Sequence, residues 1–340
     1  MKLIDFKYFA IISIALWSSC TASYFTPIVD VVMPKRDPKL VVIADFWSGE
    51  QELTVFVTRS RGSLDNTPYD YTGIDTILTS FGGHGGPRTQ TVPILIDTVK
   101  GTVVQLLKNG QPFAQLNSTG LGRYKTKLAQ PLKEDGATYT LTISAPGYTT
   151  VESTQKMPTG TALDSVTYIP DASVTDPNNP FSKNIRDEYV LDFKDVANQE
   201  NYYTAVAQAT TKDAAGVETV REIPYSSLDP LSESNVVTDK NLEGKRIVWR
   251  EHSNRRLKSN GRGGGGGPGG GGPGNVAVSG SIQVVLLSIT KERFNYMKSY
   301  ALYQSTLNNP LAEPVILYSN IQNGYGLFSL GANRSFTARF

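Results

Sequence analysis

Residues 138–148 read TYTLTISAPGY and contain a strict alternation of polar and apolar side chains. Threonines at positions 138, 140 and 142 alternate with Tyr139, Leu141 and Ile143, which is the period of a strand with one buried face. Pro146-Gly147 follows, and this dipeptide marks a turn. The stretch therefore predicts a half-buried strand that ends in a tight turn.

The same pattern of alternating strands and turns occurs nearer the N-terminus. Residues 40–46 and 53–57 each alternate, with Ser48-Gly49 between them, which predicts a hairpin. Residues 102–107 alternate and precede Asn109-Gly110, a pair that tolerates the positive φ of a type I′ turn. Short strands separated by turns at such intervals predict a small antiparallel sandwich.

Composition supports a mostly β fold. The 340 residues include 17 Tyr and 13 Phe, and aromatic and β-branched residues favour strands. The formal net charge is only +2, which excludes a polyanion binder that acts through bulk charge. Nucleic acid is therefore not an expected partner.

The first twenty residues have the organisation of an export signal. Lys2 and Lys7 precede an apolar run, 8–17, that is too short to span a bilayer, and Ser18-Ser19 lead into Cys20. We expect residues 1–19 to be a lipoprotein signal peptide and Cys20, the single cysteine, to carry the lipid that anchors the chain to a membrane. An ordinary signal peptide with an incidental cysteine, or a buried core cysteine, is the alternative.

The positions of proline-rich and glycine-rich segments predict the domain boundaries. Residues 20–39 form a tether, 40–155 a β-sandwich domain, 156–163 a linker, and 164–340 a second β domain. The glycine-rich loop 252–275 in the second domain is expected to be disordered.

The second domain combines strands with one helix. Strands at Tyr189–Phe193 and Tyr203–Ala207 look similar to a fibronectin-type hairpin, and residues 282–287 predict a central strand buried on both faces. Helical spacing predicts a helix over 291–307, capped by Thr290. Its aromatic face is expected to join the core rather than to form a sugar-stacking platform.

Candidate reactive groups are few. The two histidines, His84 and His252, lie in glycine-rich and arginine-rich surroundings that hold a catalytic base poorly. The glycine cluster 82–86 lacks the strand-to-helix context of a phosphate loop, and residues 171–184 lack the spacing of a calcium loop. We therefore expect no enzyme activity, no cofactor and no metal site.

Part of the first domain resembles the transthyretin-like or carboxypeptidase-regulatory-like β-sandwich. The resemblance rests on Gly101 with Val104, on Gly122 with Tyr124, and on the closing Pro146-Gly147-Tyr148. It implies a fold and no activity, because such sandwiches support unrelated functions.

Residues 309–328 carry a second resemblance. The segment reads NPLAEPVILYSNIQNGYGLF, and it is similar to the closing signature of a large family of Bacteroidota outer-membrane lipoproteins catalogued as a domain of unknown function. The terminal cysteine and the PKLVV strand at 38–42 fit that family as well.

This resemblance implies an outer-membrane lipoprotein facing the cell surface. Such proteins are commonly encoded beside SusC-like TonB-dependent transporters, so the implied role is that of a transporter partner or cap in ligand capture or uptake. The alternative is a structural or accessory lipoprotein of envelope assembly or adhesion. The ligand is not implied.

Overall fold

The computed structural model describes residues 37–62, 65, 67–79, 88–176, 179–212, 216–223, 225–226, 236–240, 242–253, 279–306, 313 and 315–339. The predicted signal peptide, Cys20, the glycine cluster 82–86 and residues 254–275 of the predicted glycine-rich loop lie outside these ranges.

The described residues form strands and one helix, so the predicted mostly β class is confirmed. The strands are β1 (Leu40–Trp47), β2 (Glu52–Arg59), β3 (Tyr71–Thr79), β4 (Arg88–Ile96), β5 (Val103–Lys108), β6 (Gln111–Gly120), β7 (Arg123–Lys127), β8 (Thr138–Ser144), β9 (Val151–Lys156), β10 (Leu163–Asp176), β11 (Asn179–Lys194), β12 (Tyr202–Lys212), β13 (Glu218–Ile223), β14 (Tyr225–Ser226), β15 (Val236–Thr238), β16 (Arg246–Ser253), β17 (Ser279–Ile289) and β18 (Tyr325–Arg339). The helix α1 spans Lys291–Thr306, close to the predicted 291–307.

A 12-stranded sheet dominates the structure. Its strand order is β13-β12-β17-β18-β1-β2-β7-β6-β5-β8-β9, with β15 paired to β12. The last strand, β18, runs parallel to β1, from the pair Val41 and Tyr325 to the pair Trp47 and Gly331. The C-terminal segment therefore shares a sheet with the predicted first domain, while the names given to the two domains stay predictions.

Two smaller sheets complete the fold. One has the order β10-β11-β16-β14, and the other is the β3–β4 pair. The predicted hairpin between the strands at 189–193 and 203–207 is wrong, because β11 pairs with β10 and β16 while β12 pairs with β13, β15 and β17. Residues 171–176 and 179–184, whose spacing is not that of a calcium loop, belong to the strands β10 and β11.

The buried side chains form two principal cores. The first lies among β1, β2 and β5–β9, and the C-terminal residues Ile321, Phe328 and Leu330 belong to it. The second lies between strands β12 and β17 of the large sheet and strands β11 and β16 of the small one. The second core thus lies between the two layers of a β-sandwich.

Local predictions for the first core are confirmed. Strand β1 pairs with β2 as an antiparallel hairpin. Asn109 and Gly110 both adopt positive φ, at 49° and 78°. The apolar members of the opening stretch, Tyr139, Leu141 and Ile143, are almost completely buried.

Two predictions around the helix need correction. Strand β17 is central, between β12 and β18, yet only its Ile282 face is fully buried, and Gln283 on the other face is exposed. The Thr290 hydroxyl makes no hydrogen bond in the described chain, and the backbone carbonyl of Thr290 accepts from the Phe294 amide instead. The helix therefore starts without the predicted side-chain cap.

Candidate functional site

Most site predictions from the sequence fall on residues that the structure does not describe. Cys20 and His84 are outside the described ranges, while His252 lies on β16. The described chain contains no helix long and apolar enough to cross a membrane. The candidate site below comes from surface features of the described residues.

A surface groove of about 660 Å³ lies between α1 and the segment that follows it. The helix contributes Asn295 and Ser299, one turn apart. The opposite wall comes from Ile316, Leu317, Tyr318 and Tyr325. The groove is shallow and largely open to solvent.

The helix is held on the outer surface of the large sheet. The Arg293 guanidinium pairs with the Asp45 carboxylate and lies 5.1 Å from the centre of the Trp47 ring. The Phe294 ring contacts Tyr202, with 4.7 Å between ring centroids. These contacts cover one side of the helix and leave none of its residues buried. The predicted core role is confirmed in part, because Phe294 and Met297 pack against the small core of Tyr202, Val236 and Ile289, whereas Tyr300 is 44% exposed.

One side of α1 carries three tyrosines, here called the tyrosine row, of which Tyr300 is exposed while Tyr296 and Tyr303 are partly buried. Tyr296 and Tyr300 are stacked, with centroids 6.2 Å apart and planes 9° from parallel, and Tyr303 follows at 6.4 Å. Burial, and secondarily the neighbouring Tyr300, raises the pKa of Tyr296, so this hydroxyl stays neutral at physiological pH.

The opposite wall of the groove is fixed by backbone contacts. The amide of Tyr318 donates to the Ser299 hydroxyl at 2.9 Å, which ties the segment to the helix. The Asn320 side chain then donates to the Phe328 carbonyl at 2.7 Å and accepts from the Phe328 amide at 3.0 Å. The Asn320 side chain thus makes the two hydrogen bonds that a neighbouring strand would make with β18, and these bonds fix the position of the wall.

Large apolar side chains remain exposed on this wall. Ile316 is 89% exposed and Tyr325 is 42% exposed. Exposed apolar groups that cluster around a concavity mark binding surfaces more often than scattered ones do. The groove is therefore the strongest binding-site candidate in the described chain.

A second cluster is acidic, with Asp195 and Asp239 buried and Glu243 exposed. Carboxylate oxygens of Asp195, Asp239 and Glu243 lie within 4.8 Å of one another, a spacing that could hold a cation. The Asp195 carboxylate already accepts from the Tyr203 hydroxyl at 2.6 Å and from the Gly244 amide at 2.8 Å. Burial, with this hydrogen bond, raises the pKa of Tyr203, which keeps the phenol protonated as a donor.

The same cluster is closed by Asn201. Its backbone amide donates to Asp239 at 2.9 Å, and its side-chain amide donates to Asp195 at 3.1 Å. These bonds join the end of β11, the start of β12 and the turn before β16. We interpret the cluster as a structural tie. Sequence reasoning missed it, since its members come from distant positions that share no local motif.

The fold and the groove define a class of protein. It is a mostly β protein with a large mixed sheet and an open groove between its helix and the segment that follows, lined in part by Tyr318 and Tyr325. The chain belongs to the DUF4249 family, described as a domain of unknown function, whose model matches residues 26–337. That match includes both walls of the groove. A search of curated proteins finds no match.

Proposed function

We propose that this protein is an outer-membrane lipoprotein, anchored through lipid on Cys20, that acts at the cell surface as the partner of a TonB-dependent transporter in ligand capture. The observation that carries the proposal is the groove, because it places exposed tyrosine and aliphatic side chains beside a helix that has no buried residue.

The anchor half of the proposal is supported by the sequence. A positive start, a short apolar run and small residues before Cys20 are the features that lipoprotein processing requires. The cysteine of such lipoproteins carries several acyl chains, and more than one chain is needed for stable membrane attachment.

The partner half is supported by the surface. A groove with exposed apolar groups on one wall suits either a ligand or a loop of a larger protein. We also infer that the first core belongs to a transthyretin-like sandwich, supported by its own set of buried residues.

The anchor is tested by Cys20→Ser in the full-length protein expressed in a Bacteroidota host. We expect labelled palmitate to enter the wild type and not the variant, and the variant to leave the membrane fraction. Ser19→Ala is the matched control, since it keeps a small residue before the cysteine and should be lipidated. Unchanged sedimentation of the Cys20→Ser variant with the envelope would refute the anchor.

The partnership is tested by affinity purification of the tagged native protein from detergent-solubilised membranes. We expect a transporter barrel to copurify with it. Purification without a barrel would remove the transporter role. If deletion of the protein then weakened the envelope or attachment without impairing nutrient uptake, the alternative structural role would replace it.

A further inference from the structure

The groove wall is chemically neutral. The six residues named as its lining carry amide, hydroxyl, aromatic and aliphatic groups and no formal charge. Two lysines lie over aromatic rings in this region: Lys39 is 5.4 Å from the centroid of the groove-lining Tyr325, and Lys298 is 5.4 Å from the Phe294 centroid. None of the six named lining residues therefore offers a positive charge to an anionic ligand, and Lys39 reaches the groove only over the Tyr325 ring.

Tyr296 and Tyr300 each follow a groove-lining helix residue, Asn295 and Ser299, so the tyrosine row lies about 100° around the helix from the groove. From Tyr296 to Tyr303 the helix rises about 10 Å, at ~1.5 Å per residue. The row thus offers ring surface over a length greater than one small ring. Tyr300, at its centre, is 44% exposed.

At Phe328, the edge of β18 beside the groove is not free for an extended peptide. Strand β18 is paired with β1 on one side. On the other side, the Asn320 side chain already uses the Phe328 amide and carbonyl. A peptide that binds by strand addition needs these groups unpaired.

We propose that this groove binds an uncharged oligosaccharide, which names the ligand class of the proposed function and rests on that function. A sugar ring has an apolar C–H face and a rim of neutral hydroxyls. The tyrosine row supplies flat apolar surface for the face. The Asn295 amide, which can donate and accept, and the tyrosine hydroxyls supply partners for the rim.

Other neutral ligands fit less well. A purely apolar ligand would desolvate the Asn295 amide without replacing its hydrogen bonds, which is costly. A sugar replaces them. The aromatic rings and the neutral amide thus select for a ligand that is apolar on one face and hydroxylated at its edge.

The test is calorimetric titration of the full-length protein, in a zwitterionic detergent without sugar head groups, with maltohexaose, cellohexaose, xylohexaose and mannohexaose. We expect at least one to bind with Kd below about 1 mM. Tyr300→Ala should raise that Kd about tenfold, since one aromatic contact contributes up to ~1.5 kcal/mol. Tyr300→Phe keeps the ring and should stay within about threefold of the wild type.

The matched control is Tyr71→Ala, which removes a similarly exposed tyrosine on β3 and should leave Kd unchanged. Unfolding curves of all variants establish that they are folded. The proposal is overturned if no hexaose binds, if Tyr300→Ala binds like the wild type, or if an oligogalacturonate or a neutral hexapeptide binds more tightly.

The titration is independent of the transporter. Sugar binding without a copurifying barrel would retain the ligand class and remove the partner. A copurifying barrel without sugar binding would do the reverse.

Discussion

Two neighbouring regions at the C-terminal end differ sharply in how they use their side chains. In the segment 319–331, Ile321, Phe328 and Leu330 belong to the first core, and Phe328 and Leu330 have no exposed surface. In α1, which precedes it, no residue is buried. The segment that resembles a family signature therefore completes the fold, while the helix presents a surface.

This difference shows which residues of the C-terminal segment have a structural role and which are available for binding. Gly324 and Gly326 lie where the chain passes close to Leu40 and Val42 of β1, and Asn320 pairs with the Phe328 backbone. These requirements come from packing alone. The side chains available for binding are on the helix and on the exposed wall opposite it.

The largest expected effect is that of Gly326→Ala. Gly326 has φ of 114°, and an added Cβ would overlap the Val42 carbonyl oxygen, so β18 would have to move away from β1. Backbone strain and overpacking together should lower the free energy of unfolding by about 4 kcal/mol or more. Urea denaturation followed by tryptophan fluorescence measures this, and loss of a cooperative transition is the extreme of the same result.

Gly120→Ala is the matched control. Gly120 has φ of 93°, but an added Cβ would meet no atom within 4 Å. Only conformational strain remains, so the expected cost is about 1–2 kcal/mol. Equal costs for the two variants would show that the close approach of β18 to β1 is unimportant.

A smaller loss is expected for Asn320→Ala. The variant removes both hydrogen bonds to the Phe328 backbone and leaves that amide and carbonyl without their partner, at a cost of about 2–3 kcal/mol. Asn295→Ala, the same change on the surface helix, should alter stability by less than about 0.5 kcal/mol. Similar losses for both, measured by urea denaturation, would erase the contrast between helix and segment.

Sequence reasoning succeeded where structure depends on near neighbours. The β1–β2 hairpin, the Asn109-Gly110 turn and the existence of α1 follow from alternation, turn chemistry and helical period. It failed where partners are distant in sequence: the β1–β18 pairing was not foreseen, and the predicted hairpin of β11 with β12 is wrong. A local pattern does not specify which strand lies alongside.

Only part of the candidate site can be predicted from the sequence. The spacing of Tyr296, Tyr300 and Tyr303 places them along one side of a helix, and that spacing is visible in the sequence. Periodicity does not reveal whether another element covers that side, so the row was assigned to the core. The wall from Ile316 to Tyr325 has no such pattern, because its position depends on hydrogen bonds to Ser299 and Phe328.

The smallest effect concerns a polar tie between β18 and the β7–β8 connection. The Glu134 carboxylate accepts two hydrogen bonds from the Arg334 guanidinium, both at 2.6 Å, and one from the Gly160 amide at 3.0 Å. The Arg334 hydrogen bond is the main cause that lowers the pKa of Glu134. Because the folded-state pKa is the lower one, the stabilisation is present at neutral pH and is lost as pH falls through it.

Glu134→Gln should therefore reduce the free energy of unfolding at pH 7 by about 1 kcal/mol, a modest figure because Arg334 is 40% exposed. The difference between the variant and the wild type should shrink as the pH of the urea titrations is lowered from 7 to 3, since the stabilisation by the charged carboxylate is lost as pH falls toward its folded-state pKa. Glu52→Gln is the control, because the exposed Glu52–Lys125 pair also has a lowered carboxyl pKa but does not involve β18. If the Glu134→Gln deficit stayed constant down to pH 3, the tie would act through packing and not through charge. The ion pair between Glu134 and Arg334 would then not be a stabilising interaction of β18.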